Sequence, residues 1–165
     1  MIALIEIDEY DLNIMESIEK YTDMLIRVSY SYMKNMSDAE DVTQDAFLKL
    51  IKKRPSFENA SHEKAWLLRV AINLCKNRLK TAWIRKTVPL SEANFNFTQK
   101  ENEVLSAVLE LPIKYCSIIH LFYFEGYSMA EIAAILGKKE STIGSQLHRA
   151  RKQLKTKLKE DFDDE

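Results

Sequence analysis

Residues 127–158 constrain the fold more than any other stretch, because their pattern predicts two helices joined by a short turn. Ser128 with Glu131 three residues later forms a capping box, which predicts a helix start. Gly137 then stands where the left-handed backbone at a helix end favours glycine. Further on, apolar residues recur at helical spacing: Ile143, Leu147, Ala150, Leu154 and Leu158. The stretch is therefore predicted to form a helix-turn-helix.

The opposite face of the second helix carries hydrogen-bonding groups first and cations after them. We call this set the recognition face: Thr142, Ser145, Gln146, Arg149 and Lys152. A recognition helix in the major groove has this layout, since its first residues meet base edges while cations bind phosphates. An amphipathic hairpin with a solvated charged face has the same pattern, so the motif alone leaves both interpretations open.

Composition predicts an all-α protein with one or two small cores. The 165 residues are 46% hydrophobic and 30% charged, with only three glycines and three prolines to make turns. No apolar window is long enough to span a bilayer and the first residues are acidic, so we expect a cytoplasmic protein. Cys75 and Cys116 lack metal-type spacing and are expected to be reduced core thiols. Neither a cofactor nor a metal is predicted.

The net charge of −1 hides a block pattern. Residues 46–90 carry eleven basic and two acidic side chains, and residues 138–159 carry eight and one. Residues 1–45, with three basic and eleven acidic side chains, and residues 91–137, with two and six, alternate with them. Two separate basic blocks predict two nucleic-acid contacts, which leaves acidic surface for a protein partner.

The first basic block contains a predicted helix from about residue 63 to residue 84. Its apolar stripe is Leu67, Val70, Ala71, Leu74 and Cys75. The opposite stripe, which we call the basic ridge, is Arg69, Asn73, Lys76, Asn77 and Lys80. No acidic residue lies between Lys64 and Ser91, whereas a solvated face usually mixes both signs, so the ridge favours a polyanionic partner. Three aromatic residues flank the basic ridge: Phe57, Trp66 and Trp83. Each is either a stacking platform for unpaired bases or part of the hydrophobic core.

Helical periodicity disappears in residues 87–99, where Pro89 and polar residues predict a linker. The expected architecture is therefore two small helical domains, residues 1–86 and 100–165, with the helix-turn-helix at the end of the second. In the first domain, a helix predicted from Ser37 or Asp38 to about Lys53 gathers acidic and amide side chains on one face. That face is a solvated surface or a protein contact.

Three runs of sequence, residues 38–50, 57–80 and 111–154, together resemble the small extracytoplasmic-function type of bacterial sigma factor. The resemblance implies a first domain that binds the clamp of RNA polymerase and opens the minus-ten promoter element. It implies a second domain that reads the minus-thirty-five element. It also implies an anti-sigma protein that wedges between the two domains.

The resemblance assigns roles to individual residues. It places Asp41, Gln44 and Asp45, which we call the acidic patch, where the family docks on polymerase. Asn73 falls where a flipped minus-ten base is read, and Arg149 and Arg151 fall in the promoter-contacting helix.

This chain also departs from the family pattern. Gly144 and Gln146 stand where a lysine and an arginine are common, which implies fewer phosphate contacts. Lys139 replaces the usual capping serine, so the helix cap is expected at Ser141.

Two other functions are compatible with parts of the sequence. A plain helix-turn-helix regulator explains residues 127–158 but needs neither the basic ridge nor the acidic patch. An adaptor that presents helices to a protein partner predicts no polymerase-dependent DNA contact. Enzyme chemistry is not expected, because the three histidines, His62, His120 and His148, lie in separate elements and no glycine-rich phosphate loop is present.

Overall fold

The computed structural model describes the backbone of residues 7–82 and 99–163 and the side chains of residues 7–81 and 103–159. Within those ranges the chain forms seven α-helices and one π-helical segment, without a strand. The helices are α1 (Glu9–Met33), α2 (Met36–Lys53), α3 (Ala60–Ala82), α4 (Gln99–Glu110), α5 (Ile113–Ile119), α6 (Met129–Leu136) and α7 (Glu140–Asp163), with the π-helical segment (His120–Phe124) continuing α5. The all-α prediction is confirmed. No helix in the described ranges is long and apolar enough to cross a membrane.

Side-chain caps set the boundaries of the first two helices. Asp8 accepts a hydrogen bond from the Asp11 N–H at 2.8 Å and so caps α1. Asn35 accepts from the Asp38 N–H at 2.8 Å, so α2 begins at Met36. The predicted start at Ser37 or Asp38 is therefore late, because the Asn35 side chain satisfies the first free N–H groups before Ser37 is reached.

Helices α1, α2 and α3 pack on one another as the first domain. The predicted stripe of α3 faces inward, with Leu67, Ala71 and Cys75 fully buried. Helix α3 begins at Ala60, three residues before the predicted start near residue 63, so His62 lies in the helix. Phe57 packs edge-on against Trp66 with ring centroids 5.8 Å apart, and both rings are half-buried. Trp83 lies outside the described residues.

The second domain contains the predicted helix-turn-helix. Ser128 and Glu131 form both bonds of the capping box at the start of α6, and Gly137 ends it with φ 65°. The Thr142 N–H donates to the Lys139 carbonyl at 3.0 Å. Helix α7 therefore already begins at Glu140, and the expected cap at Ser141 is wrong.

The two domains pack directly against each other. Helix α1 contacts α5 and the π-helical segment, and α3 contacts α6. Most of the predicted linker lies outside the described residues, while Gln99, its last position, already begins α4. The contacts between α3 and α6 bring the basic ridge next to the helix-turn-helix.

Candidate nucleic-acid interface

The recognition face is displayed on α7 because the opposite side of the helix is anchored in the core. Ile143, Leu147 and Ala150 are fully buried. Of the predicted contacts, four are exposed: Thr142, Ser145, Arg149 and Lys152. Gln146 is half-buried, and its Oε1 atom is buried without a hydrogen-bond partner among the described residues. The structure thus brings these five side chains to one helix face, with Gln146 the least accessible.

His148 is a member of this exposed face that the sequence interpretation set aside. Its side chain is exposed, and it lies three residues after Ser145 and four before Lys152, which puts all three on one side of the helix. The spacing along α7 was the signal that could have placed His148 among the candidate DNA contacts.

Arg151 is engaged within the second domain. Its Nε donates to the Tyr123 hydroxyl at 2.5 Å, and its guanidinium lies 5.4 and 5.5 Å from the ring centroids of Phe122 and Tyr123. Arg149 makes no hydrogen bond or ion pair with any described residue. Of the two arginines that the resemblance assigns to the promoter helix, Arg149 alone has an unoccupied guanidinium among the described contacts.

Gly144 lies half-exposed on α7 between residues of the recognition face. A Cβ atom at this position would lie 3.7 Å from the Met129 Sδ, an ordinary van der Waals distance. The backbone there is helical, so neither conformation nor space requires glycine.

The basic ridge runs along α3 as predicted. Arg69, Asn73, Asn77 and Lys80 are exposed, and Lys76 is half-buried. Burial, together with the nearby charges of Lys138 and Lys80, lowers the pKa of the Lys76 ammonium. A cleft of about 430 Å³ separates the start of the ridge from α6, and its walls come from both domains.

Arg69 reaches across to the second domain. Its Nη2 donates to the Ala134 backbone carbonyl in α6 at 2.6 Å. Arg69, the first cation of the basic ridge, is therefore already bound by the helix-turn-helix.

The acidic patch lies on the outer face of α2. Asp41 and Gln44 are exposed, and Asp45 is partly exposed. Arg78 of α3 pairs with both carboxylates, at 2.8 Å from Asp45 and 3.8 Å from Asp41. The patch is thus tied to the helix that carries the basic ridge.

Two apolar side chains continue the face of the acidic patch, and the sequence interpretation missed them. Leu48 is 48% exposed and Ile51 is 42% exposed. Together with Asp41 and Gln44 they recur at steps of three and four residues, which places all four on one side of α2. The recurrence of Leu48 and Ile51 at this helical spacing was the available signal in the sequence. The complete face combines carboxylate, amide and exposed apolar groups, as protein-binding surfaces do.

A buried carboxylate joins the two domains. Glu125 lies just after the π-helical segment, whose wide turn bonds the Glu125 N–H to the His120 carbonyl at 3.1 Å. Glu125 Oε1 lies 3.2 Å from both His120 Nε2 and Arg27 Nε of α1. Burial raises the pKa of the Glu125 carboxyl, but hydrogen bonds and charges from His120 and Arg27 outweigh it and leave the pKa below its ordinary value.

The cysteines are free and buried, as predicted. Burial raises the pKa of the Cys75 thiol to about 11, which keeps it protonated. Among the described residues, no group of three or more metal-ligating side chains is arranged to hold an ion.

Comparison with known proteins decides the family. The family model described as sigma-70 region 2 matches residues 17–84, and that described as sigma-70, region 4 matches residues 101–154. The RNA polymerase sigma factor SigV of Bacillus subtilis is 31% identical over 142 residues, covering 82% of this chain and 86% of SigV. The extracytoplasmic-function (ECF) sigma factor SigW of the same organism is 26% identical over 163 residues, covering 87% of each chain. The chain belongs to the extracytoplasmic-function family of sigma factors.

The region 2 match falls on α1 to α3 of the sigma factor and the region 4 match on α4 to α7, so the two-domain prediction is confirmed. A solved relative is the sigma factor RpoE of Bartonella quintana in complex with the anti-sigma factor NepR, with a TM-score of 0.74 and 25% identity over 89% of this chain and 97% of that one. CnrH, solved with the cytosolic domain of CnrY, shares the fold at a TM-score of 0.65 and 22% identity, over 90% of this chain and 88% of CnrH. The sigma factor acts in promoter recognition and transcription initiation.

Proposed function

We propose that this sigma factor docks on core RNA polymerase through the outer face of α2, opens the minus-ten element with the basic ridge and reads the minus-thirty-five element with the recognition face. In this proposal residues 1–86 form the first functional domain, residues 87–99 the linker and residues 100–165 the second domain. The chain acts by binding and positioning in the cytoplasm, and the catalysis belongs to the polymerase.

One observation carries this proposal: the two polar and basic surfaces lie on different domains, each on a helix whose opposite side is buried in its own core. A plain helix-turn-helix regulator needs the surface on α7 and has no use for a second one on α3. An adaptor needs neither. A sigma factor needs both, because it contacts two promoter elements at once.

For the minus-ten element, the supporting chemistry is an exposed amide among cations. Asn73 is exposed on α3, with Asn77 and Lys80 following at one and two helical turns. Amides pair with the hydrogen-bonding edge of an unpaired base, and cations hold the backbone beside it. Trp66 is half-buried against Phe57, so less of its ring surface is available for stacking on a base.

For the minus-thirty-five element, Thr142 and Ser145 lie in the first turns of α7 and Arg149 and Lys152 follow. Hydroxyl groups contact base edges in the major groove, and cations neutralise phosphates. Without cations at Gly144 and Gln146, affinity depends more heavily on Arg149 and Lys152.

An anti-sigma protein is the partner that we propose for regulation. The solved relative RpoE of Bartonella quintana is bound by the anti-sigma factor NepR, and this chain covers 97% of that sigma factor at the same fold. Two cationic surfaces on one chain also bind bulk DNA nonspecifically. A partner that covers these surfaces would prevent such binding by the free protein.

The decisive experiment is transcription from genomic DNA with core polymerase and the purified chain, followed by mapping of the transcript starts. We expect initiation at a small set of sites that share two sequence elements, and no initiation without the chain. The variant Asn73→Ala should still bind core polymerase but lose promoter opening, whereas Asn13→Ala, an exposed amide on α1, should behave like wild type. Dimers that bind duplex DNA without polymerase, together with no initiation, would instead identify a plain regulator.

A further inference from the structure

The cleft between α3 and the helix-turn-helix has the size and the setting of a small-molecule site. Its volume is about 430 Å³, and its walls are the first half of α3 and residues 125–135. Pockets that bind small molecules have volumes of roughly 300–1,000 Å³ and occur preferentially where two domains meet. Two contacts bridge the walls: Arg69 Nη2 donates to the Ala134 carbonyl at 2.6 Å, and Lys64 Nζ lies 4.9 Å from the Tyr127 ring centroid. The proposed function assigns no ligand to this space.

The α3 wall of the cleft carries N–H groups that are free to bind a ligand. Lys64 and the Trp66 indole make no hydrogen bond with any described residue. The Arg69 guanidinium has five N–H groups, of which one donates across the cleft. The His62 Nδ1 accepts the Glu58 N–H at 3.3 Å, so the proton of the neutral imidazole is on Nε2. Because this wall has four donor side chains and no carboxylate among its described residues, it fits an anionic ligand.

The two carboxylates on the opposite wall already have donors within the protein. Glu131 Oε1 accepts the Ser128 N–H at 3.2 Å in the capping box. Glu125 Oε1 lies 3.2 Å from both Arg27 Nε and His120 Nε2, and the Glu125 side chain is only 5% exposed. With Glu125 balanced by Arg27, the two cations of the α3 wall exceed the remaining carboxylate by one positive charge.

The cleft also offers an aromatic surface. Trp66 lies between the two cations of the α3 wall in the sequence, and its half-buried ring packs edge-on against Phe57 with centroids 5.8 Å apart. The Tyr127 ring and the Ile135 side chain add apolar surface on the opposite wall. Heteroaromatic rings stack on such side chains because each ring presents a π face. An aromatic surface beside free cations favours a ligand that joins an aromatic ring to an anionic group.

We propose that this cleft binds a nucleoside monophosphate as a free small molecule, with its base stacked on Trp66 and its phosphate held by Lys64 and Arg69. Phosphate suits the wall better than carboxylate does, because its three terminal oxygens can accept from the ammonium, guanidinium and imidazole donors together. The binding requires neither polymerase nor promoter DNA. It is therefore independent of the proposed function and can be measured on the purified chain alone.

The experiment titrates the purified full-length chain with each of the four nucleoside 5′-monophosphates by calorimetry at low salt, without DNA. We expect at least one nucleotide to bind with a dissociation constant below about 1 mM. The matching nucleoside lacks the phosphate and ribose 5-phosphate lacks the base, so each should bind at least tenfold more weakly. No binding by any of the four nucleotides overturns the proposal. Equal affinity for ribose 5-phosphate would show a simple anion contact without a base site, which also overturns it.

A single substitution tests the phosphate contact. Lys64→Gln should weaken nucleotide binding at least fivefold and leave nucleoside binding unchanged, because only the phosphate contacts the ammonium. The matched control, Lys49→Gln, removes the same charge from an exposed position of α2 outside the cleft and should alter the affinity less than twofold. An equal loss in both variants would reveal a general effect of net charge and would remove Lys64 from the site.

A spectroscopic readout tests the position of the base. At saturation with nucleotide, the indole N–H resonance of Trp66, which is identified by its disappearance in Trp66→Phe, should move in the NMR spectrum of the wild-type chain. A bound nucleotide that leaves this resonance in place lies outside the cleft, and the proposal is then wrong.

A nucleotide within a DNA strand offers the same chemistry, so a single-stranded tetranucleotide is the last ligand to be compared. We expect its affinity to respond equally to Lys64→Gln and Lys49→Gln, because the bridged walls of the cleft admit a free nucleotide and not a strand. Strand binding that depends on Lys64, without binding of any mononucleotide, would assign the cleft to strand recognition and overturn the proposal. Failure of the proposed function appears separately, as chain that supports no initiation with core polymerase.

Discussion

The Arg78 guanidinium of α3 lies 2.8 Å from the Asp45 carboxylate of α2 and so connects the acidic patch to the helix of the basic ridge. All three groups of the cluster, with Asp41 included, are between about one third and three fifths exposed, at 34%, 43% and 57% for Arg78, Asp45 and Asp41. Ion pairs this exposed contribute about 0–1 kcal/mol to stability. The contact therefore orients the carboxylates more than it stabilises the domain.

Reversing the charge of the acidic patch tests its role in docking. Asp41→Lys combined with Asp45→Lys should weaken binding to core polymerase at least tenfold, while the free energy of unfolding falls by about 1 kcal/mol or less because the sites are exposed. Titration of labelled core polymerase measures the first quantity and urea unfolding the second. Glu16→Lys combined with Glu19→Lys, on exposed α1 positions, is the matched control. Equal affinity of both variants would remove the patch from the docking surface.

The apolar continuation of the patch makes a separate prediction. Leu48→Ser combined with Ile51→Ser should weaken core polymerase binding by roughly 10- to 100-fold, since desolvating two such side chains contributes about 1.5–3 kcal/mol each when burial is complete. Stability should change little, because both side chains are already more than 40% exposed. Leu12→Ser combined with Met15→Ser removes exposed apolar groups from α1 and should leave docking unaltered. Loss of docking in this control as well would point to a nonspecific effect of surface polarity.

The local elements of the fold were predictable because their signals are short-range. The capping box at Ser128 and the glycine at position 137 act within one helical turn, and both appear where the sequence predicted them. The start of α2 was misjudged because several capping residues stand close together, and only the bond actually formed by Asn35 distinguishes them. Likewise the spacing of Ile143 and Leu147 on α7 was enough to predict which side is buried.

The contacts between domains could not be predicted from spacing. Arg69 has the pattern of a solvent-facing cation, and its acceptor is a backbone carbonyl 65 residues later in the chain. Arg151 resembles a phosphate-binding residue until folding brings Tyr123 to its guanidinium. In both cases the helical periodicity predicted that the side chain lies outside the core of its own helix. Periodicity carries no information about which residue of another element the side chain then contacts.

Gly144 offers a test of helix stability on the recognition face. Gly144→Ala should raise the free energy of unfolding by about 0.5–1 kcal/mol, because alanine restricts the unfolded chain and its Cβ meets only the Met129 Sδ at 3.7 Å. Thermal unfolding followed by circular dichroism measures this gain. Gly137→Ala is the informative comparison: φ is 65° there, so the same substitution should destabilise. A loss of stability in Gly144→Ala would show that the helix needs glycine at this position.

A lysine at position 144 tests the departure from the family pattern. Gly144→Lys should tighten nonspecific binding to duplex DNA and steepen its salt dependence by about one unit of slope, as one added phosphate contact does. Binding isotherms at several salt concentrations provide the slope. Unchanged or weaker binding would mean that a lysine at position 144 gains no phosphate contact.

The buried Glu125 carboxylate makes stability depend on pH in one direction. Its pKa is lower in the folded chain than the ordinary value of about 4.3, so its charged form stabilises the fold above that value. The contribution is lost as pH falls through the folded pKa. The difference in unfolding free energy between wild type and Glu125→Gln should therefore be smaller below about pH 4 than at pH 6. A difference that does not shrink in acid would place the energetic effect in packing and not in charge.

The two arginines of α7 should separate DNA binding from folding. Arg149 has no described partner, so Arg149→Ala should weaken binding to minus-thirty-five duplex DNA and leave the unfolding free energy within about 0.5 kcal/mol of wild type. If Arg149 touches a phosphate, the salt slope falls by about one, and if it reads a base, discrimination falls by about 1–3 kcal/mol. Arg151→Ala removes the bond to the Tyr123 hydroxyl and the contacts with two rings, so it should lower stability by roughly 1–2 kcal/mol with a smaller effect on DNA affinity. Both variants lose one positive charge from the same helix, so each controls for the other. A stability loss confined to Arg149→Ala, with the DNA defect confined to Arg151→Ala, would reverse the two assignments.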